Sequence, residues 1–156
     1  MEQFTLVSGI GNYDDGTACV MSAAVALWRI QNGEDIGEAT DKLECCCPVI
    51  RAFLIKLNDS SLWRNNAHRT EVLSPIIPLL LNSRNSSVER QRVFLLADFA
   101  VRKFAVIALK SANLNSEAER LAALSEITDN KTARAAARDE IIKLSVETVY
   151  KMIGLK

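Results

Sequence analysis

The sequence predicts an all-α fold: a single-domain bundle of six or seven helices with one long central helix. Three observations predict it. Apolar residues recur at spacings of three and four, as in Val20, Ala23, Ala24, Leu27 and Trp28. Helix-boundary chemistry recurs too. Pro48 suits a first turn, and Ser86-Ser87-Val88-Glu89 and Ser116-Glu117-Ala118-Glu119 match the capping box. No alternation of period two persists over more than four residues. The 156 residues fit one domain, and a chain 49% hydrophobic and 24% charged is not disordered as a whole.

The elements follow in order. Residues 1–16 form a glycine-rich loop, with Gly9, Gly11 and the Asp15-Gly16 pair, and Phe4 to Val7 supply a short extended piece. Residues 17–81 hold the N-terminal helices. Thr17 caps the first, which runs to Asn32 and stops at Gly33. Asp35 to Leu43 form an irregular turn or short helix. Pro48 opens a helix with the stripe Val49, Ile50, Phe53, Leu54, Leu57, ending at Asn58-Asp59. Ser60 or Ser61 restarts a helix through Trp63 and Val72, and the chain bends at Pro75 and Pro78. Residues 87–153 hold three C-terminal helices. The first reaches Ala112, ~39 Å at 1.5 Å per residue, and is apolar nearly all round, which marks a central helix. The second runs from Ser116 to Glu126. Asp129 caps the third, which ends at Ile153 before Gly154.

Charge excludes several function classes. Lys+Arg and Asp+Glu number 19 each, so there is no global basic footprint for nucleic acid. The apolar segment Val93 to Leu109 carries Asp98, Arg102 and Lys103, which argues against a membrane span. Cys19, Cys45, Cys46 and Cys47 lack the spacing of a disulfide framework, so reduced thiols and a cytoplasmic setting are expected. No cofactor is implied.

Few residues carry candidate chemistry. The glycine loop lacks both a third glycine in phosphate-loop register and a Walker lysine, and Asp14 and Asp15 would repel phosphate. Cys19 lies in the first turn of a helix, where a thiol is activated, and His68 is the only histidine to take its proton; a core thiol and a surface histidine are the plainer reading. Three adjacent cysteines cannot all face one ion, so no metal site is expected there, and Cys47 is read as the cap of the Pro48 helix. Asp98 and Arg102, four apart, make a structural ion pair. Arg84, Arg90 and Arg92 form a weak nucleic-acid candidate, with Glu89 reducing their field. Trp28, Trp63 and Tyr13 would mark an interface if they gathered at the surface. Asp14, Asp15 and Asp41 precede helices; they cap them, or they gather with Cys47 in a pocket for a cation or a basic partner.

One resemblance stands beside this reading. Ala18-Cys19-Val20-Met21 with Ala23-Ala24, then Asp41, then Cys45-Cys46-Cys47-Pro48-Val49-Ile50, Phe53-Leu54 and Leu57-Asn58-Asp59, resembles a group of small helical proteins of bacteria and phages. Arg69, Leu73-Ser74-Pro75 and Pro78 also fit, as does the stretch from Arg92 through Asp98 and Arg102 to Leu124 and Asp129. The resemblance implies a compact helical domain in a bacterial or phage setting and no particular activity. Relatives carry a histidine soon after the aspartate matching Asp41, where this chain has Lys42.

The function expected from these readings is a non-enzymatic protein-interaction module, an accessory in phage or bacterial defence or anti-defence. The alternatives are a thiol-dependent hydrolase using Cys19 and His68, and a weak nucleic-acid binder.

Overall fold

A computed structural model of the chain describes residues 4–138. Helices dominate among them, and the only strands are two residues long each. The chain divides into two units, residues 1–89 and 90–156.

The first unit is built around α1 (Val20–Gln31), whose residues from Val20 to Leu27 are all buried. The sequence explains why. No charge occurs between Thr17 and Trp28, and the helix is rich in small side chains, so neighbours approach from every side. Around it stand α2 (Pro48–Asn58), α3 (Asn66–Leu73) and the short α4 (Ile77–Leu80). Leu6, Met21, Leu43, Leu54, Leu73 and Leu80 belong to the shared core.

A parallel pair, β1 (Thr5–Leu6) with β2 (Thr17–Ala18), closes one side, in the register Thr5 to Thr17 and Leu6 to Ala18. Parallel strands ordinarily need a crossover of a dozen or more residues. Here the glycine loop makes the return in ten, Val7 to Gly16. Gly11 is what permits it: at φ +81° any Cβ would lie 2.5 Å from the Ala18 Cα. The loop is therefore a chain-reversal device.

Several expected caps shift by a few residues, each for a local reason. Thr17 does not cap α1, because its hydroxyl is occupied by the Asn12 N–H (2.9 Å) and the Asn12 carbonyl (3.1 Å). Cys19 takes the N-cap position, and its Sγ accepts from the Ser22 N–H at 3.2 Å. Residues 35–43 form no helix. Cys47 occupies the N-cap of α2, but its side chain makes no capping hydrogen bond. α3 starts at Asn66 rather than Ser60 or Ser61, since the Asn65 side chain accepts the His68 N–H at 2.8 Å.

α5 (Ser86–Phe99) begins one residue earlier than the capping-box reading requires, with Asn85 accepting from the Ser87 N–H at 3.1 Å. It continues through a π-helical turn, Ala100–Phe104, into α6 (Ala105–Ser111). This long helix is not buried all round. Leu95 is 53%, Phe104 50% and Ile107 63% exposed, so α1 and not this rod is the enclosed helix. Of its charges, Asp98 is buried against Arg102, and Lys103 stays exposed.

In the second unit α7 (Asn115–Ala122) packs on α6, with Val106, Leu109, Ala118 and Leu121 as core. Ser116 lies inside the first turn of α7 and its hydroxyl meets Glu117 at 2.8 Å, so no capping box forms there, and the helix ends before Glu126. Asp129 caps α8 (Asn130–Arg138) by accepting the Thr132 N–H at 2.7 Å. The expected continuation to Ile153 and the stop at Gly154 lie outside the described residues. No helix among the described residues is long and apolar enough to cross a membrane.

Candidate functional site

The first unit contains a cleft of about 740 Å³. Its floor is α1, where Ala23, Ala26 and Leu27 face it. The two alanines, three residues apart, lie on one helix face, and their small side chains leave the space open. One wall is Phe4 and Tyr13, with ring centroids 5.0 Å apart. The other wall is Ser74, Ile77 and Pro78 at the bend after α3. Ile36 closes the end, and its carbonyl accepts from the Arg29 guanidinium, as does that of Glu38.

The polar groups of this cleft are nearly all satisfied. The Tyr13 hydroxyl donates to the Ser22 carbonyl at 2.7 Å, and burial pushes its pKa up. The Ser22 hydroxyl donates to the Ile10 carbonyl at 3.0 Å. Ser74 Oγ is the exception: it is buried and has no hydrogen-bond partner.

A polar cluster locks the N-terminal segment to the helices beside this cleft. Asn58, 1% exposed, accepts from the Val20 N–H at 3.1 Å and donates to the Val7 carbonyl at 2.8 Å. Asp59 accepts from the Gly9 N–H at 2.9 Å and from Asn58 at 3.0 Å. Burial opposes its charge, but these bonds and one from Ser8 outweigh burial and hold its carboxyl below the usual range. Arg69 donates to the Leu6 carbonyl at 3.3 Å and to the Asn66 side chain. Thr70 accepts from the Leu6 N–H at 2.8 Å. The sequence marks Asn58-Asp59 only as a helix end. The one signal of a larger role is an amide side chain closing an otherwise apolar stripe.

The residues singled out from the sequence are dispersed. Cys19 is 6% exposed and its sulfur is engaged with Ser22, while the His68 ring stands edge-on to Trp63 at 5.5 Å. The Trp63 indole N–H donates to the Leu57 carbonyl at 2.8 Å, and the ring packs on the core. Asp14 and Asp15 are exposed in a short turn, and Asp41 pairs with Arg51 at 2.9 Å. No group of three or more His, Cys, Asp or Glu residues among those described could hold a metal ion. Cys46 contacts Ser83 Oγ and the Cys47 carbonyl, both at 3.6 Å, and burial raises its thiol pKa. None of the four cysteines forms a disulfide. Arg84 donates to the Glu44 carbonyl at 3.2 Å.

In the second unit Asp98 and Arg102 meet at two points, Nε to Oδ1 at 2.6 Å and Nη2 to Oδ2 at 2.9 Å. The Ile127 N–H adds a bond to Asp98 Oδ1 at 3.0 Å, and Arg102 reaches the Leu124 carbonyl at 3.4 Å. The pair thereby anchors the connection between α7 and α8 to the long helix. Arg90 lies over the Phe94 ring at 5.8 Å, and Arg92 is engaged as well.

The long helix also carries an exposed apolar stripe: Leu95, Phe99, Phe104 and Ile107. Phe99 and Phe104 are five apart, a spacing that an α-helix splays. The wider π turn between them brings the rings to 6.2 Å. Neither a family model, nor a curated protein, nor a solved structure matches this chain.

Proposed function

We propose that the protein is a non-enzymatic interaction module and that the stripe Leu95, Phe99, Phe104, Ile107 docks an amphipathic helix of another protein. The observation that carries this reading is the exposure of four large apolar side chains in a row along one helix. Anchors at helical spacing suit a partner helix laid along the rod. The surrounding charge suits an acidic partner. Between Arg90 and Lys110 the only acid is Asp98, which is buried and paired, whereas Arg90, Lys103 and Lys110 are exposed. Thiol hydrolysis is less well supported, since Cys19 serves as a buried helix cap. The phage or bacterial setting rests on the sequence resemblance alone.

The test is a photo-cross-linking amino acid placed at position 99 in the full chain, with the captured partner then purified. Its affinity is expected to fall about tenfold or more in the Phe99→Ser/Phe104→Ser variant, as for hot-spot aromatics, and to weaken with salt. A partner indifferent to both changes, or cross-links to oligonucleotides only, would overturn the reading.

A further inference from the structure

The π turn Ala100–Phe104 decides which side chains share the exposed row of the long helix. At 3.6 residues per turn, an unbroken α-helix would set Phe104 about 140° round the axis from Phe99 and about 180° from Leu95. Phe104 would then leave the row. The observed rings stand 6.2 Å apart, so the turn has taken up one residue and brought Phe104 back beside Phe99. Its hydrogen bonding accounts for this: the Ala105 N–H reaches the Ala100 carbonyl, five residues back. Leu95 lies four residues before Phe99, and Ile107 three after Phe104. With the turn in place, all four stand on one face at successive helical turns.

We infer that the π turn is the positioning element of the docking row and that it sets the partner's form: an uninterrupted amphipathic helix of three or more turns, with acids beside its apolar face. The inference rests on the docking reading above and adds the partner's length and continuity. From Leu95 to Ile107 the row covers about 18 Å at 1.5 Å per residue, about three helical turns. A loop or a single turn would leave the anchors at one end in water, whereas a straight helix offers each of them an apolar side chain. Charge selects against a second copy. Lys103 lies within the π turn and Lys110 three residues past Ile107, both exposed, and the one acid between Arg90 and Lys110, Asp98, is buried. Two copies paired through this face about a two-fold axis would set basic side chains against basic ones. Glutamates flanking a partner's apolar face meet these lysines instead.

The test uses the full chain and a labelled synthetic helix of about five turns (~18 residues), leucine on one face and glutamate and alanine elsewhere, read by fluorescence anisotropy. The peptide is expected to bind, and to bind about tenfold more weakly when a proline interrupts its centre or lysine replaces its glutamates. Deletion of Ala100, which restores the α-helical register, is expected to weaken binding about tenfold while circular dichroism shows helicity retained. In the unaltered protein the bound peptide is expected to give NMR cross-peaks from its leucine methyls to both Leu95 and Ile107, which decides the matter even if the deletion variant misfolds. Absence of peptide binding, equal binding of the proline peptide, undiminished binding by a folded deletion variant, or cross-peaks to one end of the row only would each overturn the inference. So would sedimentation showing a dimer that the Phe99→Ser/Phe104→Ser variant dissolves. A cross-linked partner that needs both phenylalanines but binds through a non-helical segment removes this inference and leaves the docking reading standing. Indifference of both partner and peptide to the loss of the phenylalanines removes both.

Discussion

Asn58 Oδ1 accepts the Val20 amide hydrogen at 3.1 Å, tying the last turn of α2 to the first turn of α1. The same side chain donates to the Val7 carbonyl, so one amide joins three segments within the core. Asn58→Ala strands a buried N–H and a half-buried carbonyl and is expected to cost about 3 kcal/mol. Urea unfolding measures it, and a midpoint equal to wild type would show that water replaces the amide.

Gly11 and Gly9 both have positive φ, but only Gly11 faces backbone: a methyl carbon added to it would stand 2.7 Å from the Ala18 nitrogen. Gly11→Ala is expected to destabilise by about 2–4 kcal/mol and to open the β1–β2 pair. Gly9→Ala meets nothing and is expected to cost about 1 kcal/mol, the conformational penalty alone. Amide exchange at Thr5 and Val7, which bond across the pair, distinguishes the two.

Asp98 has its pKa lowered, first by the Arg102 hydrogen bonds and then, against burial, by the Ile127 N–H. A depressed carboxyl pKa stabilises the folded state above the unfolded value, about 3.9, and that stability is lost as pH falls through the folded pKa. Asp59 contributes in the same direction. Acidification below about pH 4 is therefore expected to weaken the fold, and Asp98→Asn to flatten this dependence. Chemical unfolding measured across the acidic range checks it; an unaltered pH slope in the variant would contradict it.

The thiols are graded by access. Cys45 is half-buried, whereas Cys19, Cys46 and Cys47 are 6%, 3% and 0% exposed. In the folded protein iodoacetamide is expected to modify Cys45 first, with peptide mass spectrometry as readout. Faster modification of Cys19 would revive the hydrolase reading.

Phe99 and Phe104 are 43% and 50% exposed. Replacing both by Ser is expected to change stability by about 1 kcal/mol or less. Circular dichroism and thermal unfolding check that the docking test compares folded proteins.

Much of the helical layout is legible in the chain. Pro48 opens α2 and Asn58-Asp59 close it; Asp129 caps α8; Gly33 follows α1. These signals are local, because they depend on backbone donors within one turn. The caps at Cys19, Asn65 and Asn85 are harder to read, since several polar residues lie near each start and the one that wins depends on what its neighbours already bond. Thr17 illustrates this: it is a good capping residue, diverted to Asn12 by the loop return.

The sequence by itself determined the helical class and the chemistry available: spaced apolar stripes, balanced charge and few nucleophiles. It did not reveal which helix is enclosed. The long helix reads as central because its apolar residues outnumber one face, yet α1, with small side chains and no charge, is the one that can be approached from all sides. The cleft belongs wholly to tertiary structure. A void over Ala23 and Ala26 arises when four distant segments converge, and no spacing along the chain encodes their distance.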